Sequence, residues 1–256
     1  MLKKHIFGFF TYHCLEFCHL FTFIDTKKQP ELEADILFVI DSSYKVSQED
    51  LAREKDFIKS LVRSLNISSD SSRAALISYG DRGSISSRFV SLKRLTDFDR
   101  SVDNASYIGG ERRIDKAVEM VARLLNEAGT ASSKVVIFLT AGGQASSGKS
   151  LEDVVQPLRR HGTKTYVVAI GKQTDVQELK PLVISPEDVV TVQSFTELNS
   201  QENRIANHIS ERAGKRQNYM MCTVLKVVHT KLFLSGWDFY FFCVCVLSLN
   251  CFHKPY

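Results

Sequence analysis

The stretch ILFVIDSSYK, residues 36–45, decides how the rest of the chain reads. Its first half is a short apolar run rich in β-branched residues, the pattern of a parallel strand buried on both faces. It then runs through Asp41, Ser42, Ser43 and Tyr44 to Lys45. A carboxylate followed by small hydroxyls suits a bound cation, and a lysine does not.

Outward from this strand, the sequence alternates. SQEDLAREKDFIKSLVRSL (47–65) places Leu51, Ile58, Leu61, Val62 and Leu65 at helical spacing, and Ser47 with Asp50 resembles a capping box. RAALISYG (73–80) and SRFVSL (87–92), parted by the turn-rich DRGSIS, predict a hairpin-like strand pair. After YIGGERR, the residues Ile114, Ala117, Val118, Val121, Leu124 and Leu125 share one helical face. Strands are predicted at 134–140, 164–171 and 188–192, and helices at 151–162 (bent or ended by Pro157), near 175–182, and through 195–214. The pattern predicts an α/β, doubly wound, mainly parallel six-stranded sheet with one antiparallel edge strand and helices on both faces, a Rossmann-like architecture. Ligands of such sheets bind at the carboxyl ends of the strands where strand order reverses. Asp41, Ala141 and the loop 108–113 are expected to share that crevice.

Composition divides the chain of 256 residues into a centre and two unusual ends. All six cysteines (Cys14, Cys18, Cys222, Cys243, Cys245 and Cys251) lie in the ends, so the centre needs no disulfide and holds no thiolate zinc site. Residues 1–30 form a signal-like or disordered segment: two lysines precede an apolar run, but His13, Glu16 and His19 interrupt it. Residues 33–212 form the domain. Residues 216–256 form a hydrophobic, Cys- and aromatic-rich tail, read either as a membrane anchor or as a segment foreign to the domain. Its uncharged run from Phe239 to Phe252 is shorter than the roughly 20 residues that span a bilayer, and Asp238 costs about 2.5–3.5 kcal/mol on insertion. The net charge of +4 is mild and forms no basic stripe, which argues against nucleic-acid binding.

ADILFVIDSSYKVSQEDLAREKDFIKSLV, YIGGERRIDKAVEMV, VVIFLTAGGQASSGKSLEDVV and GTKTYVVAIG, in this order, resemble a von Willebrand factor type A domain of the kind repeated in collagen VI and matrilins. The resemblance covers residues 33–212. It implies a crevice in which an Asp-x-Ser-x-Ser loop, a threonine before a later helix and the aspartate of a Thr-Asp-Gly turn hold a divalent cation. Asp41 and Ser43 match the first motif, and Lys45 stands where its third residue should supply a hydroxyl. At the threonine position the register gives Arg112 when counted back from Ala117 and Glu111 when counted on from Gly109 and Gly110. Ala141 replaces the aspartate of the third motif.

A hard divalent ion needs oxygen ligands and negative charge to offset its dehydration. Here one carboxylate and two hydroxyls are missing and an ammonium has been added. Like charges about 4 Å apart repel by about 4 kcal/mol at an effective dielectric of 20. The expectation is that no cofactor is held: neither Mg2+ nor Mn2+ binds, and only Asp41 and Ser43 remain as remnants of the site. Two readings of the cations stay open. Lys45 and Arg112 pair with Asp41 and offer fixed positive charge to an acidic partner, or Lys45 points to solvent on a lapsed site.

GGQASSGKS (142–150) has the spacing of a phosphate loop, from Gly143 to Gly148-Lys149-Ser150, but it reads as a surface turn because no aspartate is placed to hold magnesium beside it. There is no Gly-x-Ser-x-Gly elbow, and His161 and His208 lie near helix ends with no evident partner, so no enzyme activity is expected. Asn66 and Asn104 begin N-glycosylation motifs. The resemblance implies a non-enzymatic protein-binding module for cell adhesion or matrix assembly, with a matrix or collagen-type protein ligand, located outside the cell. The alternatives are an intracellular scaffold, anchorage to a membrane through the tail, and a nucleotide-binding enzyme resting on the 142–150 loop.

Overall fold

Every residue of β1 (Ala34–Asp41) is buried, and its side chains divide by parity between two cores. Ile36, Phe38 and Ile40 enter one core with Leu51, Phe57, Ile58 and Leu61 of α1 (Gln48–Ser64). Leu37 and Val39 enter the other with Val118, Val121 and Leu125 of α3 (Ile114–Ala128). That two-sided burial is why the strand is apolar throughout rather than alternating. Each fully buried Leu, Ile or Phe contributes about 1.5–3 kcal/mol.

The computed structural model describes residues 31, 33–65, 67, 68, 70–129, 133–214, 222–234 and 237–249. Besides β1, the main sheet contains β2 (Arg73–Tyr79), β3 (Gly83–Ser91), β4 (Ser133–Thr140), β5 (Lys164–Ile170) and β6 (Val189–Val192). Their order is β3-β2-β1-β4-β5-β6, with β3 alone antiparallel. This is the doubly wound sheet expected from the alternation. Strand order reverses at β1, whose neighbours are β2 and β4, so the crevice opens between the ends of β1 and β4.

The structure differs from the sequence reading in four places, the last being the start of the final helix, which lies at Glu202 and not at 195 because Phe195–Glu197 and Asn199–Gln201 form 3-10 turns. The edge strand begins at Gly83 rather than at residue 87, because Ile77 pairs with Ile85 and Ser78 with Ser84, and the Ser78 and Ser86 hydroxyls bond at 2.8 Å. Residues that looked like a serine-rich turn thus form half of a ladder. Helix α2 (Leu95–Asp103) was not predicted. It has no side-chain N-cap and is only nine residues long, and it is held by burying Phe98 and Val102, one turn apart. The third difference is at Pro157: the segment splits into α4 (Leu151–Val154) and α5 (Gln156–Arg160), with the proline in the first turn of α5, where its missing N–H costs nothing. Two more helices, α6 (Val176–Leu179) and α7 (Glu202–Gly214), complete the domain.

In the tail, β7 (Cys222–Leu234) and β8 (Trp237–Leu249) pair antiparallel. The apolar run from Phe239 lies in β8 as far as Leu249. Among the described residues no helix is long and apolar enough to cross a membrane. The signal-like reading of residues 1–30, and Asn66, fall outside the described residues.

Candidate functional site

Two loops are bonded together over the end of β1. The amide of Ser42 donates to the Tyr79 carbonyl (2.7 Å), and the Ser42 carbonyl and hydroxyl accept from the amides of Gly109 (2.8 Å) and Ile108 (2.9 Å). The Tyr44 amide donates to the Gly110 carbonyl at 2.9 Å, and the Tyr107 hydroxyl donates to the Ser43 carbonyl at 3.2 Å. The 107–113 loop achieves this by placing Gly109 and Gly110 in succession at φ of 73° and 72°. Only glycine adopts that conformation without strain. At Gly110 a Cβ would also come within 2.4 Å of the Asp81 Cβ.

This turn settles the register left open by the sequence. Arg112 enters the crevice, and its Nε donates to Asp41 Oδ2 at 2.5 Å; the Asp41 side chain is fully buried and that of Arg112 is 12% exposed. Glu111 faces solvent and accepts from the Ser147 hydroxyl. The Asp41 carboxylate is completed by two backbone donors, Ser43 N to Oδ1 (3.0 Å) and Ala141 N to Oδ2 (3.2 Å). Asp41, Ser43, Arg112 and Ala141 are thus brought together. Lys45 is not. It is exposed, with its Nζ 4.9 Å from the centroid of the Tyr44 ring, so of the two placements left open for it, it points to solvent and does not pair with Asp41.

A family model for the von Willebrand factor type A domain matches residues 35–204. The chain belongs to the von Willebrand factor type A family. It is 26% identical over 156 residues to the collagen alpha-1(VI) chain of Gallus gallus, covering 59% of this chain and 15% of that one. With the collagen alpha-4(VI) chain of Mus musculus it shares 28% identity over 210 residues, covering 77% and 9% respectively. The chain therefore spans a small part of the length of these relatives. Among solved structures, proximal thread matrix protein 1 from the mussel byssus superposes with a TM-score of 0.64 at 20% identity, over 70% of this chain and 48% of that one. That likeness shows the fold.

In this type A domain the crevice donors do not fit a divalent ion. The one carboxylate, Asp41, is already bonded to a guanidinium, Ala141 supplies no side-chain oxygen, and the side chain that replaces the third serine, Lys45, is exposed. The Ser43 hydroxyl, buried and without a partner, is the one free oxygen left from the motif. Among the described residues no cluster of three or more His, Cys, Asp or Glu is placed to hold a metal.

Sequence reasoning missed a second carboxyl behind the crevice. Glu54 of α1 is fully buried and neither oxygen has a hydrogen-bond partner. Burial, then repulsion from Asp41 and Asp50, holds it well above the usual carboxylate range, and Arg112 only partly offsets this. The signal was present: position 54 lies one turn from Leu51 and from Ile58, on the apolar stripe of the helix, where an acid is out of place. Because the folded-state value is raised, the stability this group contributes is fully present below its unfolded value, about 4.3, and is lost as pH climbs from there through the raised value. Glu54→Leu should remove that slope and raise the unfolding free energy at neutral pH by about 1–3 kcal/mol. Urea titrations across a pH series check both; an unchanged slope would refute the assignment.

Asp115 was also missed, and it decides how the 142–150 loop reads. Its carboxylate accepts from Arg113 Nε and Nη2 (both 2.8 Å), Gln144 Nε2 (2.7 Å) and the Lys149 amide (3.2 Å). Burial pushes this carboxyl up, but the bonds from Arg113, Gln144 and Lys149 outweigh it and hold the group well below the usual range. The Lys149 ammonium is bonded to Glu119 at 2.7 Å. Both the amide and the amine that a phosphate would need are committed to carboxylates, and the loop with the phosphate-loop spacing is a turn pinned to the start of α3. His161 caps α5 and His208 packs edge-on to Tyr166, so neither sits in the crevice. Asn104 is exposed at the C-terminal end of α2.

Proposed function

We propose that this type A domain is a non-enzymatic protein-binding module working in adhesion or matrix assembly outside the cell, and that its crevice face engages its partner without a divalent metal ion. The observation that carries the metal-free part is the Arg112 guanidinium on the Asp41 carboxylate, which sets a fixed cation against the carboxylate that a metal would need. The match to collagen VI chains supports a matrix role, and exposed Asn104 supports an extracellular one. No nucleophile–base pair stands at the crevice among the described residues, which favours binding over catalysis.

The test uses the full chain expressed in a secretory cell line. The expected result is secretion, a mobility shift after glycosidase treatment, and retention on a deposited matrix that is equal in millimolar magnesium and in chelator. Its melting temperature should not respond to magnesium, manganese or chelator. Metal-dependent melting or retention would overturn the metal-free reading. An unglycosylated protein held in the cytosol would replace the matrix role with that of an intracellular scaffold.

A further inference from the structure

Asn104, Ala105 and Ser106 form an N-glycosylation motif that takes no part in the crevice bonding. The fold leaves it ready for use. Asn104 is the C-cap of α2: its backbone N–H donates to the carbonyls of Arg100 and Val102, the residue is exposed, and among the described residues nothing bonds its side-chain amide. Ala105 is buried, while Ser106, whose hydroxyl completes the motif, is exposed and bonded to no described side chain.

The attachment point is clamped on both sides. Lys55 of α1 donates through Nζ to the Asp103 carbonyl at 3.0 Å and to the Ala105 carbonyl at 2.6 Å, and Lys59 Nζ reaches Asp103 Oδ1 at 2.7 Å. Three residues on, the chain is bonded into the rim of the crevice, through the Tyr107 hydroxyl on the Ser43 carbonyl and the Ile108 amide on the Ser42 hydroxyl. Three residues span at most about 10–11 Å. A large group on Asn104 therefore stands beside the Tyr107 end of the 107–113 loop. The 142–150 loop borders the other end of it, where the Ala145 amide donates to the Arg112 carbonyl at 2.9 Å and Ser147 donates to Glu111.

We infer that Asn104 carries an N-linked oligosaccharide that shields the Tyr107 end of the crevice face and leaves a partner to approach from the side of the 142–150 loop. This rests on the extracellular reading proposed above, because the donor, a polyprenyl-diphosphate-linked oligosaccharide, belongs to the secretory route. In the transfer Asn104 Nδ2 attacks the anomeric carbon. The N–C bond forms, the anomeric C–O bond breaks, the polyprenyl diphosphate leaves, and the amide proton passes to a base of the transferase. The product is bulky and solubilising, so it excludes a macromolecule by volume.

The test uses the full chain secreted from a cell line, beside Asn104→Gln, Ser106→Ala and Asn66→Gln. An amidase that releases N-linked glycans converts each carrier asparagine to aspartate, and peptide mass mapping should find position 104 converted. Asn104→Gln and Ser106→Ala replace exposed side chains and should fold; each should abolish that conversion and lose one mobility step, while Asn66→Gln keeps the conversion at 104. Shielding is measured separately with tetranitromethane. Tyr107 and Tyr44 are both exposed, and Tyr44 is bonded through its amide to Gly110, farther along the loop, so it serves as the reference. The ratio of Tyr107 to Tyr44 nitration should rise in both motif variants. A secreted chain with position 104 unconverted would overturn the inference and leave the matrix module standing, and conversion with an unchanged nitration ratio would overturn the shield. A chain held unglycosylated in the cytosol would remove this inference and the extracellular reading together.

Discussion

Arg112→Ala should lower the unfolding free energy by about 3–5 kcal/mol, the cost of leaving a buried charge without its partner. Asp41 has no exposure, and in the variant its carboxylate would keep only the backbone donors Ser43 N and Ala141 N. Among the described residues no other cation is paired with it, and the neighbouring Glu54 is an acid that supplies no positive charge. Asp41→Asn in the same chain should recover part of the loss, since an amide needs no counter-charge. The double variant should therefore lose less than the sum of the two single changes, the signature of side chains in direct contact. Urea titration at neutral pH reads all three, with an unchanged denaturant slope expected because the fold is the same. A loss below about 1 kcal/mol for Arg112→Ala would place it with ordinary surface ion pairs and remove it from the crevice floor.

Much of this fold is legible because several local rules agree. The apolar run of β1 demands two covered faces, and the structure supplies two cores. Ser47 and Asp50 promise a helix start, and they form it: the Asp50 amide donates to the Ser47 hydroxyl at 3.0 Å, which in turn donates to the Asp50 carboxylate at 2.8 Å. What sequence left open depends on tertiary context. Whether Arg112 or Glu111 fills the crevice turns on two glycines at positive φ, a conformation that residue counting does not see. Helix α2 has no cap to announce it and forms because Phe98 and Val102 find the core. Lys45 holds a motif position and could be read either into the crevice or out to solvent, and only the fold shows it exposed beside the Tyr44 ring. Glu54 and Asp115 show the limit from the other side. Both are acids in a helix, but one is buried with no partner and the other takes four hydrogen bonds, and only the fold tells them apart.

The same crevice gives a gain-of-function test. Lys45→Ser, Arg112→Thr and Ala141→Asp together should create a divalent-metal site where none is expected in the natural chain. Each change has a separate physical task. Arg112→Thr removes the guanidinium from Asp41 and offers a hydroxyl, Ala141→Asp restores a second carboxylate to offset dehydration, and Lys45→Ser adds the third loop oxygen. Lys45 is exposed and does not block the site, so its change should matter least and Arg112→Thr most. Without metal the triple variant should be less stable than the natural chain, because two carboxylates would then face each other beside Glu54 with no cation between them. With metal the order should reverse: at a free concentration about 100 times the dissociation constant, binding adds about 2.7 kcal/mol of stability. Melting in millimolar magnesium or manganese against chelator measures this, with circular dichroism to establish that the apo variant is folded; if it is not, the pair Arg112→Thr and Ala141→Asp serves instead. A folded variant indifferent to both metals would mean that the loop carrying Arg112 cannot present a ligand at that register. The guanidinium would then be a consequence of a reshaped crevice rather than its cause.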